Sequence, residues 1–216
     1  LTDIGTAAFK YCNKITDITI PASVTSIGDE AFMYCYKIAP EFAEGSILKS
    51  IGVYAFYNCY EMTSISIPNS VEEIGSGAFA ACNKLATANI PTSLKAIPES
   101  MFSSCSKLTD VTIPASVQSI GASAFYSCSA MTSISIPDSV EEIGQRAFAG
   151  CSKLTTANIP TSLKEIPAGL FSSCSNLTSI TIPASLQSIG NEAFMYCYKI
   201  APEFAEGSSL KSIGVN

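Results

Sequence analysis

The sequence predicts one right-handed solenoid of parallel β-strands, built from stacked units of about 23 residues. Three observations carry that prediction. Nine cysteines, Cys12, Cys35, Cys59, Cys82, Cys105, Cys128, Cys151, Cys174 and Cys197, recur at intervals of 23 residues, once 24. Nine phenylalanines keep the same beat three residues earlier, at Phe9, Phe32, Phe56, Phe79, Phe102, Phe125, Phe148, Phe171 and Phe194. Between these marks one skeleton recurs about nine times, plainest in Met62–Cys82: Leu/Met-x-x-Ile-x-Ile-Pro-x-Ser-Val/Leu-x-x-Ile-Gly/Pro-x-x-Ala-Phe-x-x-Cys.

A fixed period in this range with a Leu-x-x-Leu-x-Leu-like core marks a leucine-rich-repeat solenoid, β-rich and α/β only in the broad sense. One unit cannot bury its own apolar face. Met62, Ile65, Ile67, Val71, Ile74 and Phe79 become interior only when neighbours stack, so stability is a sum over nearest-neighbour interfaces. Residues 1–216 are read as a single domain of about nine units.

Within each unit the Leu-x-x-Ile-x-Ile segment alternates and is rich in Ile and Thr, which predicts a strand. These segments begin at Ile15, Met62, Leu85, Leu108, Met131, Leu154 and Leu177. A proline follows, as at Pro68 or Pro137, and its missing N–H stops the strand. A second short strand is expected at segments such as Val71–Ile74. Gly28, Gly52, Gly75, Gly121, Gly144 and Gly190 are expected to allow a tight corner, with Pro98 and Pro167 in their place in two units. Ala-Phe-x-x-Cys is expected to form a helical turn on the outer side that plugs the interior with phenylalanine. Stacking in register at about 4.8 Å gives a curved rod or horseshoe roughly 40 Å long.

Two longer repeats overlie the short one. Met62–Ala130 and Met131–Lys199 are similar 69-residue blocks, and EAFMYCYKIAPEFAEGS occurs at Glu30–Ser46 and Glu192–Ser208. The latter copies replace Ile-x-Ile-Pro by Ala-Pro-Glu-Phe. They read as one extra residue ahead of the inward position, a bulge with Phe42 and Phe204 turned inward. A specialised protrusion bearing Glu41, Glu44, Glu203 and Glu206 is the competing reading.

Composition narrows function. Charged residues make up 14% of the chain and the net charge is −6, which gives no support to nucleic-acid binding. No apolar run is long enough to span a membrane, and residues 1–20 show no charged region followed by an apolar stretch, so they are not expected to act as a signal peptide. Leu1–Gly5 and Ile213–Asn216 match the middle of a unit, and no polar caps are visible. The chain is therefore expected to be a fragment whose open ends favour end-to-end self-association.

The chain has no histidine, which removes His-based triads and metal sites. No Walker loop, dinucleotide fingerprint or EF-hand is present. The cysteines lack Cys-x-x-Cys pairing and read as small buried core residues, with disulfides between neighbouring units as an alternative. Glu72-Glu73 and Glu141-Glu142 point to opposite faces. They read instead as parts of charge ladders, Lys49–Glu72–Lys95 and Glu141–Lys164. No catalytic, cofactor or metal residue is expected.

The outward positions of the main strands form two columns: Asp17, Ser64, Thr87, Asp110, Ser133, Thr156 and Ser179, then Thr19, Ser66, Asn89, Thr112, Ser135, Asn158 and Thr181. This small, polar face is either a solubilised sheet surface or a broad multivalent binding surface. A tyrosine cluster, Tyr11, Tyr34, Tyr36, Tyr54, Tyr57 and Tyr60, is a second candidate, with packing at the rim of the Phe plug as its plainer reading. Asn176-Leu177-Thr178 fits the glycosylation acceptor pattern.

The string Ile-Pro-x-Ser-Val-x-x-Ile-Gly-x-x-Ala-Phe-x-x-Cys-x-x-Leu-Thr-x-Ile-x-Ile-Pro resembles the BspA-like, Treponema-type leucine-rich repeats. The resemblance covers essentially the whole chain. It fails in the two Ala-Pro-Glu-Phe units and softens at Met101-Phe102 and Leu170-Phe171. It implies an extracellular or cell-surface location, as in surface proteins of host-associated bacteria and some protists. It also implies a non-enzymatic adhesion or protein-binding scaffold whose partner is a host or cell-surface protein of the extracellular-matrix type. A structural spacer is the alternative.

Overall fold

The computed structural model describes residues 1–215. Its eighteen short strands fall into two columns, and every pairing is parallel between units 22 to 24 residues apart. One column holds the main strands, Asp17–Ile20, Ala39–Phe42, Ser64–Ile65, Thr87–Ala88, Ser133–Ile134, Thr156–Ala157, Ser179–Ile182 and Ala201–Phe204. The other holds ten two-residue strands, from Asp3–Ile4 to Ser212–Ile213. The predicted solenoid of stacked 23-residue rungs is what forms.

The core is a strip along the axis. Each rung contributes inward Ile, Leu, Val or Met side chains, with Phe32, Phe56, Phe79, Phe102, Phe125, Phe148 and Phe171 fully buried. Their rings stack from Phe9 to Phe194 with centroids 5.1–6.0 Å apart. Offset aromatic stacking at this spacing adds to the hydrophobic gain of each ring.

The Ala-Phe-x-x-Cys segment is not a helical turn. In the central rung Ala124, Tyr126 and Cys128 donate their N–H groups to carbonyls three residues back, Gly121, Ser123 and Phe125. The intervening Ser123, Phe125 and Ser127 donate to Gln145, Ala147 and Ala149 of the next rung, at 2.7–2.9 Å. Ser123 and Ser127 have φ of 54° and 57°, and equivalent positive values recur in other rungs. Two left-handed residues four apart prevent a helix and turn alternate N–H groups toward the neighbour. The result is a ladder of β-turns that hydrogen-bonds between rungs as a strand does.

The corner glycines also act differently from the expectation. None of Gly28, Gly52, Gly75, Gly121, Gly144 and Gly190 has positive φ. A Cβ at each would lie 2.2–2.6 Å from a backbone nitrogen of the preceding rung. Glycine is needed for close approach, and its N–H then reaches the isoleucine carbonyl of that rung at 2.7 Å, as from Gly144 to Ile120. Proline at this corner has neither the space nor the donor. Accordingly the second column is cut between Glu73–Ile74 and Ala96–Ile97, ahead of Pro98, and between Glu142–Ile143 and Glu165–Ile166, ahead of Pro167.

Those two joints also undo most of the expected charge ladder. Lys49 and Glu72 form an ion pair, but Glu72–Lys95 and Glu141–Lys164 do not. Both missing pairs straddle a proline joint, where the backbones are unpaired.

The Ala-Pro-Glu-Phe units contain no bulge. Asp17, Ile18, Thr19 and Ile20 pair one to one with Ala39, Pro40, Glu41 and Phe42. Relative to the preceding unit, this one has one residue fewer between Cys35 and its strand and two more between Phe42 and Leu48. The surplus forms a turn after the strand, with Gly45 at φ 72°. Phe42 does pack inward and is half-buried. Phe204, paired with Ile182, stays 50% exposed, contrary to the expectation of an inward ring.

Candidate functional site

The main strands alternate inward apolar residues, most often isoleucine, with outward residues that are mostly polar, as period-two geometry demands. Ser133, Thr156 and Ser179 pair in succession, as do Ser64, Thr87 and Asp110. Asp17, Thr19, Ser66, Thr112, Ser135 and Thr181 continue the two outward columns, and all twelve of these side chains are exposed.

Asn89 and Asn158 belong to the same columns but are committed elsewhere. Asn89 donates from Nδ2 to the Ile67 carbonyl and accepts from the Ile67 N–H at its Oδ1, at 2.8 and 2.6 Å. Asn158 treats Ile136 in the same way at 2.7 Å. Each half-buried amide stands in for a strand partner where the backbone ladder has stopped. The sequence places both asparagines on the face and gives no sign of this role.

Two acidic residues of the face are missing from the outward columns read from sequence. The Ala-Pro-Glu-Phe register puts Glu41 beside Thr19 and Glu203 beside Thr181. Recognising them required knowing that the insertion follows the strand.

The main-strand ladder opens in mid-chain. Asp110 bridges to Thr87, but no pairing joins it to Ser133. Asp110, Thr112, Ser133 and Ser135 line the resulting hollow of about 300 Å³ with Ile113 and Pro137. The stacked rings beneath tilt most at this place, 24° between Phe102 and Phe125. The arrangement presents hydroxyls and one carboxylate beside strand backbone free of a ladder partner, a setting for polar recognition rather than proton transfer.

The tyrosines cluster in space as well as in sequence. Tyr11 stacks on Tyr34 at 4.9 Å, Tyr34 meets Tyr36 and Tyr57 edge-on, and Tyr57 meets Tyr54. Tyr11, Tyr36, Tyr54 and Tyr60 remain well exposed. Lys10 pairs with Glu30 and lies over Tyr11. The hydrogen bond from Lys10 to Glu30 holds its ammonium above the usual lysine range.

The cysteines are free thiols, eight of them buried. Each thiol from Cys35 to Cys197 donates to the phenylalanine carbonyl of the preceding rung at 2.9–3.3 Å, as Cys128 does to Phe102. Burial pushes the Cys151 thiol up to about 12 and raises Cys105, Cys128 and Cys174 as well. A protonated, buried thiol is a poor nucleophile and metal ligand. Among the described residues no group of three or more Cys, Asp or Glu is placed to hold a metal ion, and no helix is long and apolar enough to cross a membrane.

A family model described as a BspA type leucine rich repeat region, in six copies, matches residues 2–130 and 95–216. The chain is similar to the solved leucine-rich repeat protein of T. pallidum, with 29% identity and a TM-score of 0.68 over 86% of this chain and 83% of that one. It is also similar to a leucine rich cell surface protein of Faecalibacterium prausnitzii, with 25% identity, a TM-score of 0.54, all of this chain and 83% of that one. A leucine-rich repeat protein of Bacteroides ovatus gives 27% identity and a TM-score of 0.50 over 99% of this chain and 78% of that one. The comparison with curated proteins gave no match.

Proposed function

The chain belongs to the BspA-type leucine-rich-repeat family, and from that premise we propose that it is a non-enzymatic adhesion scaffold. It works at a cell surface and engages an extracellular-matrix or cell-surface protein through its main-strand face. The observation that carries this reading is the open stretch of that face around Asp110, Thr112, Ser133 and Ser135. There, exposed polar side chains stand on a rigid core beside strand backbone free of a ladder partner, and repetition along the rod supplies avidity. The surface location draws on the F. prausnitzii relative, described as a cell surface protein.

A screen against immobilised matrix and cell-surface proteins tests the proposal. It pairs the parent with a variant carrying Lys in place of Ser66, Thr112, Ser135 and Thr181. Saturable binding by the parent that the variant loses supports the main-strand site. Binding that the variant keeps moves the site to the tyrosine cluster or the Ala-Pro-Glu-Phe turns. Absence of binding favours a spacer, a reading supported by the uninterrupted stack of phenylalanine rings from Phe9 to Phe194.

A further inference from the structure

Basic residues are not spread evenly over this acidic chain. The position two residues after each cysteine holds Lys14, Lys37, Glu61, Lys84, Lys107, Ala130, Lys153, Asn176 and Lys199. Six of the chain's twelve basic residues fall in this one column, against one of its eighteen acids. All six lysines are exposed. The column forms one edge of the rod, between the β-turn ladder and the main strands.

Contacts show that the column is continuous in space. Lys84 donates to Glu61 at 2.7 Å and Lys199 to Asn176 at 2.6 Å, each pair being successive members. Lys84 also lies 5.3 Å from the ring centre of Tyr60, so the next column, one residue after each cysteine, runs alongside. That column holds Tyr36, Tyr60 and Tyr198, 39%, 41% and 78% exposed. Beneath them the backbone is fixed: Ser106 and Ser129 each donate to the carbonyl of the rung before, Asn83 and Ser106.

The lysines are arranged against their own electrostatics. Lys14 and Lys37 occupy adjacent rungs, as do Lys84 and Lys107. Like charges on neighbouring rungs cost stability. Among the described residues Lys14, Lys37, Lys107 and Lys153 form no ion pair, including with Asp17 and Asp110 three residues further along. The one acid in the column, Glu61, is taken up by Lys84. Ammonium groups free of an ion pair, set one to three rungs apart along one edge and accompanied by exposed tyrosine rings at Tyr36, Tyr60 and Tyr198, fit a linear anion with flat apolar faces.

We propose that this edge binds an acidic polysaccharide, sulfated or carboxylated, laid along the solenoid axis. The lysines take its anionic groups, and Tyr36 and Tyr60 stack on its sugar rings. The site is separate from the main-strand face and stands or falls independently of it.

Titration of the full chain with heparin, neutral dextran and polyglutamate at low ionic strength tests this. Heparin is expected to bind with an affinity that falls steeply with salt, and dextran is not. Replacing Lys14, Lys37, Lys107 and Lys153 by Glu should weaken heparin by about tenfold or more. The same change at Lys49, Lys95, Lys164 and Lys211 alters net charge equally and should cost less than about twofold. Tyr36→Ser with Tyr60→Ser should weaken heparin and leave polyglutamate unchanged. No heparin binding by the parent, equal losses in the two lysine variants, or polyglutamate binding as tightly as heparin would each overturn the proposal.

Discussion

From Phe9 to Phe194 the turn side of the rod is continuous. Nine rings stack without a gap, and eight thiols tie each rung to the one before. The strand side of the same rungs is cut into six short sheets. The difference lies in what carries each contact. On the turn side the backbone β-turn ladder runs on through every joint, as from Phe79 to Met101 and from Phe148 to Leu170, and side chains that every rung repeats, Phe and Cys, reinforce it. On the strand side it depends on backbone approach, and one residue per rung can forbid it. Pro98 and Pro167 do so where glycine stands in the eight other rungs of the second column, and Asn89 and Asn158 patch the main ladder with a side-chain amide. Continuity is thus assured by the turn side, which frees the strand face to vary.

The largest effect expected from breaking that contrast is at the stack. Phe125→Ala should cost about 3–5 kcal/mol in urea unfolding, because rigid neighbours on both sides cannot close the cavity. Gly144→Ala should cost about 1–3 kcal/mol by the same measurement, since its Cβ would lie 2.2 Å from the Ala122 nitrogen. Gly5→Ala, with nothing within 4 Å, should be close to neutral. Equal losses for these two glycines would remove the close-approach explanation.

Alkali probes the thiol column. Folding raises the Cys151 pKa, to about 12, so the stabilising difference is complete below the unfolded thiol value near ~8.5. It is lost as pH rises through that value toward the folded one, because the unfolded chain releases its proton first. Thermal midpoints should fall above pH 8.5 or so, less steeply in Cys151→Ser than in the parent. Identical slopes in the two proteins would argue against burial of that thiol.

Smaller effects belong to the strand side. Thr112→Ala, on the exposed face, should move stability by no more than about 0.5 kcal/mol. Pro98→Gly offers an N–H to Ile74, a gain of about 1 kcal/mol, set against a more flexible unfolded chain of about 0.4–1 kcal/mol. Its net effect is near zero, and the readout is hydrogen exchange at residue 98. Strong protection of that amide would show that the joint closes once the ring is gone, and rapid exchange would assign the gap to another cause.

Much of this was legible because the period is. The positions of Ile65, Val71, Phe79 and Cys82 in one rung fix their counterparts in the other rungs, so the core and the outward columns follow from counting. Counting failed where the backbone decided. Ala-Phe-x-x-Cys looks like a helical turn by composition, yet positive φ at Ser123 and Ser127 has no residue signature, since Ala, Glu, Tyr, Asn, Ser and Arg all occupy such positions. The glycine corner was visible, but flexibility and close approach leave the same mark in a sequence. In the Ala-Pro-Glu-Phe units the altered interval does not say on which side of the strand the surplus lies. Glu41 and Glu203 therefore fall outside the columns that counting yields, and Asn89 falls inside one although its amide is spent on Ile67.

The joint at Pro98 returns at Pro167, and the amide at Asn89 returns at Asn158, because Met62–Ala130 and Met131–Lys199 are one block written twice. A further copy placed after Ala130 would meet the same junction that Met131 already makes there. Each step would lengthen the rod by three rungs, about 14 Å, without presenting the chain with an unfamiliar packing problem. Reach is thus a quantity that copying errors in a gene can lengthen or shorten in fixed increments.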